Sequence, residues 1–410
     1  MGADPRAVSE PFTGHAPGSR EYRRLIIGLF FAGVATFAQL YATQAVLPQI
    51  ASDLRIGPAS AALSVSAATL GLAAAVVPWS MVADRIGRIP AMATGVIIAT
   101  VLGICAPLSD GILPLLILRL GEGIALGAVP AVALAYLSEE VRSSHAAAAA
   151  GSYIAGTTLG GLTGRLVAGG IGEAGGWRAG VWGVAAVCIV CAVLFLWLTP
   201  RARGFLPAAR GGGPGILARL LRPLRSAPQL ALYAQGFLLM GAFVAVYNYL
   251  GFHLAAPPFL LPAWLVTLLF VAYLAGTVSS PWAGSLASRF GRYPVLLVSI
   301  GVTASGAVLL AMPTTGLVLT GLVLFTAGFF GAHAIASGWV PTDADPAVRA
   351  QASSLYYFGY YAGSSLFGWI LGLVFGGLGW EWFIAGILAM CAASAAIAAL
   401  ALHASPSGRV

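Results

Sequence analysis

The sequence contains no lysine and little charge of any kind. Only 8% of its 410 residues are charged, whereas soluble domains carry about 25% charged residues. Hydrophobic residues make up 59% of the chain, and its mean hydropathy is +0.90. This composition excludes a soluble globular protein and predicts a chain that crosses a membrane many times.

Cysteine is also scarce, and all four cysteines lie inside apolar segments. Cys188 and Cys191 form a C-x-x-C pair, but no second ligand pair lies nearby, so packed thiols explain them better than a metal or redox site. The glycines at 211–213 follow no strand and precede no Gly-Lys-Ser/Thr, which argues against a nucleotide-binding loop. We therefore expect no cofactor, no metal, no ATP-driven pumping and no enzymatic activity.

Long apolar segments account for most of the chain. There are twelve, at residues 25–50, 61–83, 91–108, 112–137, 146–170, 178–199, 229–254, 263–287, 294–312, 315–340, 350–374 and 382–402. A helix of about 20 residues crosses the hydrocarbon core of a bilayer. None of the segments alternates with the period of two that a membrane strand requires. The sequence thus predicts an all-α membrane protein with twelve transmembrane helices.

The net charge of +8 is distributed unevenly along the chain. If residues 1–24 are cytoplasmic and the segments alternate sides, seventeen arginines fall in cytoplasmic segments, whereas only Arg55 and Arg178 fall in outer loops. Basic residues favour the cytoplasmic side, so both termini are predicted there, in a multi-pass protein of the cell inner membrane. The basic charge therefore indicates orientation in the lipid bilayer and no nucleic-acid partner.

Two features occur twice in the chain at nearly the same spacing. The charged turn at residues 80–90 returns at 284–294, and the Gly-Trp pair at 176–177 returns at 379–380. Two matches with nearly one offset indicate a duplicated unit. The predicted organisation is a tail at 1–24, a six-helix bundle at 25–199, a basic cytoplasmic linker at 200–228, a second bundle at 229–402 and a tail at 403–410.

The turn at residues 80–90 has the form G-x-x-x-D-R-x-G-R, with Ser80 at the first position. It resembles motif A of the major facilitator superfamily, and the resemblance covers nearly the whole chain. It implies two pseudo-symmetric six-helix bundles that rock about a central site. The residues expected to act in gating are Asp84, Arg85, Gly87, Arg88, Arg289, Gly291 and Arg292. Asp84 is expected beside the start of the eleventh helix, as a cytoplasmic latch that Ser288 cannot duplicate.

The fourth segment carries an acid and a base in its interior. Arg119 and Glu122 are three residues apart, so they share a helix face and can pair. Arg119 also begins an R-x-x-x-G sequence that resembles motif B of proton-coupled exporters. Burial in lipid favours a protonated Glu122, whereas Arg119 favours the ionised form. We predict that the pair couples transport to protons; the alternative is a permanent ion pair that only fastens the helix.

The fifth segment has the spacing Gly151-(x8)-Gly160-(x3)-Gly164 and resembles motif C, which is associated with exporters and antiporters. Gly156, Gly160 and Gly164 lie one turn apart and predict a smooth strip on which another helix packs closely. Arg165 stands where the motif has proline. It is predicted either to contact an anionic or polar substrate or to form a structural pair.

Further candidate substrate contacts are polar or aromatic residues inside the predicted helices. They are Gln39, Gln44, Tyr153, Tyr233, Asn248, His333, Tyr357, Tyr360 and Tyr361. Tyrosine offers apolar surface and a hydroxyl, which suits amphipathic solutes. His333 is a candidate substrate contact, titrating group or helix-to-helix hydrogen bond, and the last interpretation is favoured.

Together these features predict a secondary transporter similar to the proton-driven drug and sugar efflux branch of the superfamily, the arabinose-efflux-permease-like carriers. It would be a monomer that exchanges protons for small amphipathic or polar molecules. Two interior arginines against one glutamate leave an alternative, a facilitator or importer of a sugar or organic anion. A channel or receptor would have no reason for two motif A turns.

Overall fold

The structure is a computed structural model, and it describes residues 12–142, 145–205 and 220–403. Eleven helical segments are long and apolar enough to cross a membrane. The longest helix, Ala146–Leu198, bends at Gly176, where φ is +77°, and so contains two spans. The described residues therefore hold twelve spans, which confirms the predicted all-α class and helix number.

The spans follow one another in two sets of six. In the first half, span 1 is Arg20–Asp53, span 2 is Pro58–Ile86, span 3 is Arg88–Leu108, span 4 is Ile112–Glu140, span 5 is 146–175 and span 6 is 177–198. In the second half, spans 7 to 12 are Ala227–Ala255, Ala263–Phe290, Arg292–Leu310, Thr315–Asp343, Pro346–Leu378 and Trp380–Leu402. Parts of the predicted tails and linker, at 1–11, 206–219 and 404–410, lie outside the described residues.

The two motif A turns are each a single glycine long. Span 2 ends at Ile86 and span 3 begins at Arg88, with Gly87 between them at a φ of +99°. Gly291 joins spans 8 and 9 in the same way, with a φ of +87°. Only glycine adopts such a backbone without strain. The repeated glycine therefore permits two long helices to reverse direction within one residue.

Span 1 is not a continuous helix. Its α-helix ends at Leu40, a short 3₁₀ segment covers Gln44–Val46, and a second helix runs over Leu47–Asp53. The last carbonyls of an α-helix have no partner within the helix. The break therefore leaves backbone acceptors in the middle of the bundle that other groups must satisfy.

The two halves touch far from the motif A turns. We call the end of the bundle that carries Gly87 and Gly291 the turn end, and the opposite end the distal end. Side-chain hydrogen bonds across the halves link Gln44 to Asn248 at 2.7 Å, Thr69 to Ser365 at 2.7 Å and Arg165 to Tyr273 at 3.0 Å. All six residues lie in the distal parts of their spans, so the bundle is closed at the distal end.

Candidate functional site

Arg119 and Glu122 form an ion pair in the interior of the first half. Both side chains are fully buried, and the Arg119 Nη1 donates to the Glu122 Oε2. Arg119 also donates to the backbone oxygens of Gln39 at 3.0 Å, Leu40 at 2.5 Å and Ser64 at 3.0 Å. Two of these carbonyls belong to the broken end of span 1. Arg119 thus caps that break and ties spans 1, 2 and 4 together.

Glu122 is enclosed by its own half of the molecule. Its Oε1 lies beside the side-chain amide of Gln39, the polar group nearest to it after Arg119. A Cβ on Gly103 of span 3 would lie 3.1 Å from this oxygen and would also meet the amide of Gln39. The carboxyl group faces spans 1 and 3 instead of the cleft between the halves.

Arg165 lies in a cage of neutral groups at the distal contact between the halves. Its guanidinium carbon is 4.1 Å from the ring centre of Tyr41 and 4.4 Å from that of Tyr273. Its nitrogens donate to Gln44 Oε1 at 2.7 Å, the Gly161 oxygen at 2.6 Å and the Tyr273 hydroxyl at 3.0 Å. Arg165 is 1% exposed, yet no salt bridge reaches it within the described part of the chain. Aromatic rings and neutral acceptors therefore stabilise this cation in place of a carboxylate.

Gln44 and Asn248, two of the predicted substrate contacts, extend the Arg165 cage into the second half. Gln44 accepts from Arg165 and donates its Nε2 to the Asn248 Oδ1 at 2.7 Å. Gln39, which was grouped with them, instead donates to the backbone oxygen of Ala99 on span 3. Gln44 therefore faces the second half, whereas Gln39 faces span 3.

His333 and the tyrosines of span 11 form an aromatic cluster. The His333 Nδ1 lies 2.9 Å from the Tyr356 hydroxyl, which is the helix-to-helix hydrogen bond favoured from the sequence. Its ring centre is 4.8 Å from that of Tyr360 and 6.3 Å from that of Tyr357. Tyr357 remains 41% exposed although its ring faces this cluster, so part of the aromatic surface is accessible. The cluster offers aromatic surface near the turn end.

Other predicted tyrosines contribute buried hydroxyls. The hydroxyls of Tyr153 on span 5 and Tyr233 on span 7 have no hydrogen-bond partner within the described ranges, although both residues are at most 8% exposed. Tyr361 is also buried, and its ring centre lies 5.1 Å from that of Tyr360. Buried hydroxyls usually find a partner. Tyr153 and Tyr233 are therefore exceptions, and their role as substrate contacts stays a prediction.

The glycine strip of span 5 packs directly on span 1. A Cβ at any of its three positions would collide with a backbone oxygen of span 1: Phe30 for Gly156, Val34 for Gly160 and Ala38 for Gly164. Small residues allow such close approach of two backbones. The strip therefore sets the position of the span that carries the break at Leu40.

A second glycine contact lies in the other half and was missed from the sequence. A Cβ at Gly363 of span 11 would collide with the backbone oxygen of Phe237 on span 7. Gly363 follows Gly160 by the same spacing that separates the two Gly-Trp pairs. Aligning the halves by that spacing would have identified this contact.

The motif A residues of the first half form a chain of three charges. The Arg88 Nη1 donates to Asp84 Oδ1 at 2.5 Å, and the same guanidinium binds the Glu139 carboxylate at 2.8 and 3.1 Å. Glu139, at the end of span 4, was not predicted from the sequence, because it lies far from Arg88 along the chain. Asp84 is 41% exposed and bonds to Arg88, with no bond to span 11 among the described residues. The expected latch to span 11 is therefore not engaged in this structure.

The second motif A turn is arranged differently. Arg292 donates to the Thr342 hydroxyl at 2.6 Å, and Ser288 donates to the backbone oxygen of Ser285 at 2.7 Å. Arg85 and Arg289 are exposed at the turn end. Ser288 stands where the first half has Asp84, so this turn lacks the carboxylate that binds Arg88 in the first turn.

Comparison with known proteins identifies the family of this fold. Residues 29–262 match the sequence profile of the Major Facilitator Superfamily. The chain is 36% identical to the inner membrane transport protein YnfM of Escherichia coli (strain K12), over 92% of this chain and 90% of the relative. It is 34% identical to the uncharacterized MFS-type transporter YybF of Bacillus subtilis (strain 168), over 88% and 89% of the two chains.

Solved structures of similar fold are more distant in sequence. A bacterial homolog of the human lysosomal transporter Spinster, in an inward-facing and occupied conformation, has a TM-score of 0.74 at 17% identity, over 96% of this chain and 99% of that one. A D-xylose-proton symporter has a TM-score of 0.73 at 13% identity, over 95% and 98%. At these identities the likeness concerns the fold alone. The sequence relatives carry the assignment: this chain belongs to the major facilitator superfamily of membrane transporters.

Proposed function

We propose that the protein is a secondary transporter that exports small amphipathic or polar molecules across the cell inner membrane in exchange for protons. The observation that carries this proposal is the buried carboxyl group of Glu122, whose Oε2 binds the equally buried Arg119. A group that drives transport must bind its proton with different affinity in the two facing states. Glu122 is suited to this role, because its partner Arg119 binds backbone oxygens at the break in span 1.

The contacts around Arg119 connect the proton to the distal closure. Protonation of Glu122 removes the charge that Arg119 pairs with, and Arg119 in turn holds the carbonyl oxygens of Gln39 and Leu40. Immediately after this break come Tyr41 and Gln44, which contact Arg165 at the junction of the halves. A change at Glu122 therefore acts on the segment of span 1 that closes the distal end.

The accessible cleft lies on the cytoplasmic side in this proposal, because the arginine distribution assigns the turn end to the cytoplasm. Substrate would enter there, beside Tyr357, Tyr360 and His333, and leave when the distal contacts separate. Asp84 would then bind the start of span 11 and hold the cytoplasmic side shut. The carrier acts as a monomer, with its site between its own two halves.

A second candidate function is a facilitator or importer of a sugar or an organic anion without proton antiport. The observation that favours it is Arg165, a buried cation with no salt bridge among the described residues. In this case Arg119 and Glu122 would remain paired throughout the cycle. The two candidates differ in whether a pH gradient drives accumulation.

The test is transport of a compound panel in proteoliposomes with and without an imposed pH gradient. For a compound that the wild type accumulates, Glu122→Gln should still bind and exchange it but should no longer accumulate it when pH differs across the membrane. Asp53→Asn, the same chemical change at a carboxylate that binds Trp177 and Arg178 at the distal ends of spans 1 and 6, should keep pH-driven transport. Full pH-driven transport by Glu122→Gln would refute the assignment.

A further inference from the structure

The hydrogen bonds of Arg165 determine how two neighbouring amides are oriented. A guanidinium only donates, so the group of Gln44 that faces it must be the carbonyl oxygen Oε1. The Nε2 of Gln44 then faces Asn248 and requires its Oδ1 as an acceptor, as the 2.7 Å contact shows. The Nδ2 of Asn248 must consequently point away from Gln44. We call this chain of hydrogen bonds, from Arg165 through Gln44 to Asn248, the relay. The positive charge of Arg165 thus aligns two amide dipoles in one direction.

The relay ends at a hydrogen-bond donor without an acceptor among the described residues, the Nδ2 of Asn248. Asn248 Nδ2 has no partner within the described ranges, although Asn248 is 1% exposed. A Cβ at Gly368 of span 11 would lie 3.3 Å from this nitrogen and 3.2 Å from the Ser66 Oγ. Ser66 and Ser364 are also buried with unpartnered hydroxyls in the described structure. Gly368 thus leaves a small space that an amide and a hydroxyl face.

The chemistry of this region selects the charge of a ligand. Arg119 is already paired with Glu122, whereas Arg165 has only neutral partners and keeps its full charge. A buried cation without a counter-ion carries a large desolvation cost, which an oxygen anion would offset. Hydrogen bonds from charged donors to carboxylates are the strong ones. A carboxylate therefore complements this site, and an ammonium group opposes it.

We propose that the transported molecule carries a carboxylate, which Arg165, Asn248 and Ser66 bind as the distal contacts begin to separate, before the molecule leaves the carrier on that side. Arg165 and Ser66 belong to the first half, whereas Asn248 and Tyr273 belong to the second. As the halves part, Arg165 loses the hydroxyl of Tyr273, and the carboxylate takes its place. The adjacent rings favour an aromatic or apolar body. This inference rests on the proposed transport function and names its substrate class.

The test compares three planar probes of similar size and different charge: benzoate, benzamide and benzamidinium. Their equilibrium binding to the purified full-length protein is measured with radiolabelled probe at constant pH. Benzoate should bind at least about tenfold more tightly than the other two, as expected for a charge-assisted contact in place of a neutral one. Arg165→Gln should reduce this preference to less than about threefold.

Variants at Asn248 and Ser66, where the relay ends, test whether these donors bind the carboxylate. Asn248→Asp keeps the size of the side chain but replaces the donor by a carboxylate, so it should abolish the preference for benzoate. Ser66→Ala removes one donor without burying a charge and should weaken benzoate binding by about threefold to tenfold. The matched control is Gln235→Glu on the same span, whose amide bonds to Ser394 on span 12 and which should keep the preference.

Several outcomes would overturn the proposal. They are equal binding of the three probes, a preference for benzamidinium, or no benzoate binding up to about 10 mM, which corresponds to a negligible affinity. If the control Gln235→Glu also lost the preference for benzoate, the loss in Asn248→Asp would no longer show that Asn248 binds the carboxylate. Binding at constant pH does not involve the proton gradient. If wild-type transport proves insensitive to pH while benzoate is still preferred, proton coupling fails and the substrate class stands.

Discussion

Replacing Arg119 by glutamine tests how strongly the break in span 1 depends on one side chain. The change removes the partner of Glu122 and the donors to the backbone oxygens of Gln39, Leu40 and Ser64. Glutamine is shorter and uncharged, so it can replace only part of this network. We expect Arg119→Gln to destabilise the first half more than any other single exchange at this site.

The expected loss of stability in Arg119→Gln follows from the buried groups that lose their hydrogen-bond or charge partner. Breaking a buried ion pair by removing one partner costs about 3–5 kcal/mol. Each buried carbonyl that loses its donor adds about 1–3 kcal/mol. Glu122 can bind a proton and glutamine can donate to one carbonyl, so the expected loss is roughly 4 kcal/mol. Glu122→Gln alone keeps an acceptor for Arg119 and should cost roughly 2 kcal/mol.

A double-mutant cycle separates the pair from the carbonyl contacts. In Arg119→Gln/Glu122→Gln no charge remains buried at the site, so its loss should be roughly 2 kcal/mol smaller than the sum of the two single losses. The free energy of unfolding of all four proteins is measured by reversible denaturation in mixed micelles. If the double variant is as unstable as the sum predicts, the two side chains are not energetically paired and the reasoning fails.

Two further predictions concern the gate and the helix packing. Asp84→Asn should slow transport while substrate affinity stays nearly unchanged, because Asp84 acts at the turn end and not at the site; an equal loss of affinity, measured by equilibrium binding, would contradict this. Gly160→Leu should reduce the yield of folded protein, because its side chain would meet the backbone of Val34. Gly151→Leu, where nothing lies within 4 Å, should fold normally, and equal yields would argue against the strip.

Some of these features follow from the sequence alone. The twelve spans could be predicted because lipid satisfies no backbone hydrogen bond, which leaves long apolar segments no structure other than a helix or a closed barrel. The two turns could be located because charged residues interrupt the apolar segments at 80–90 and 284–294, whereas the reversal at a single glycine with a positive φ is seen only in the structure. The contact of Gly156, Gly160 and Gly164 with another helix also follows from their spacing of one turn, although the sequence does not say which helix it is.

The arrangement of the buried charges was decided by the tertiary structure. Spacing predicts that Arg119 meets Glu122, but not that Arg119 caps a break in span 1, because hydropathy does not reveal where an apolar helix is interrupted. Nor does the sequence show that Tyr41 and Tyr273 enclose Arg165 from opposite halves. In a chain where most helix faces are apolar, amphipathicity does not orient each helix about its axis. Close packing between neighbouring spans does, and it thereby determines which polar groups meet.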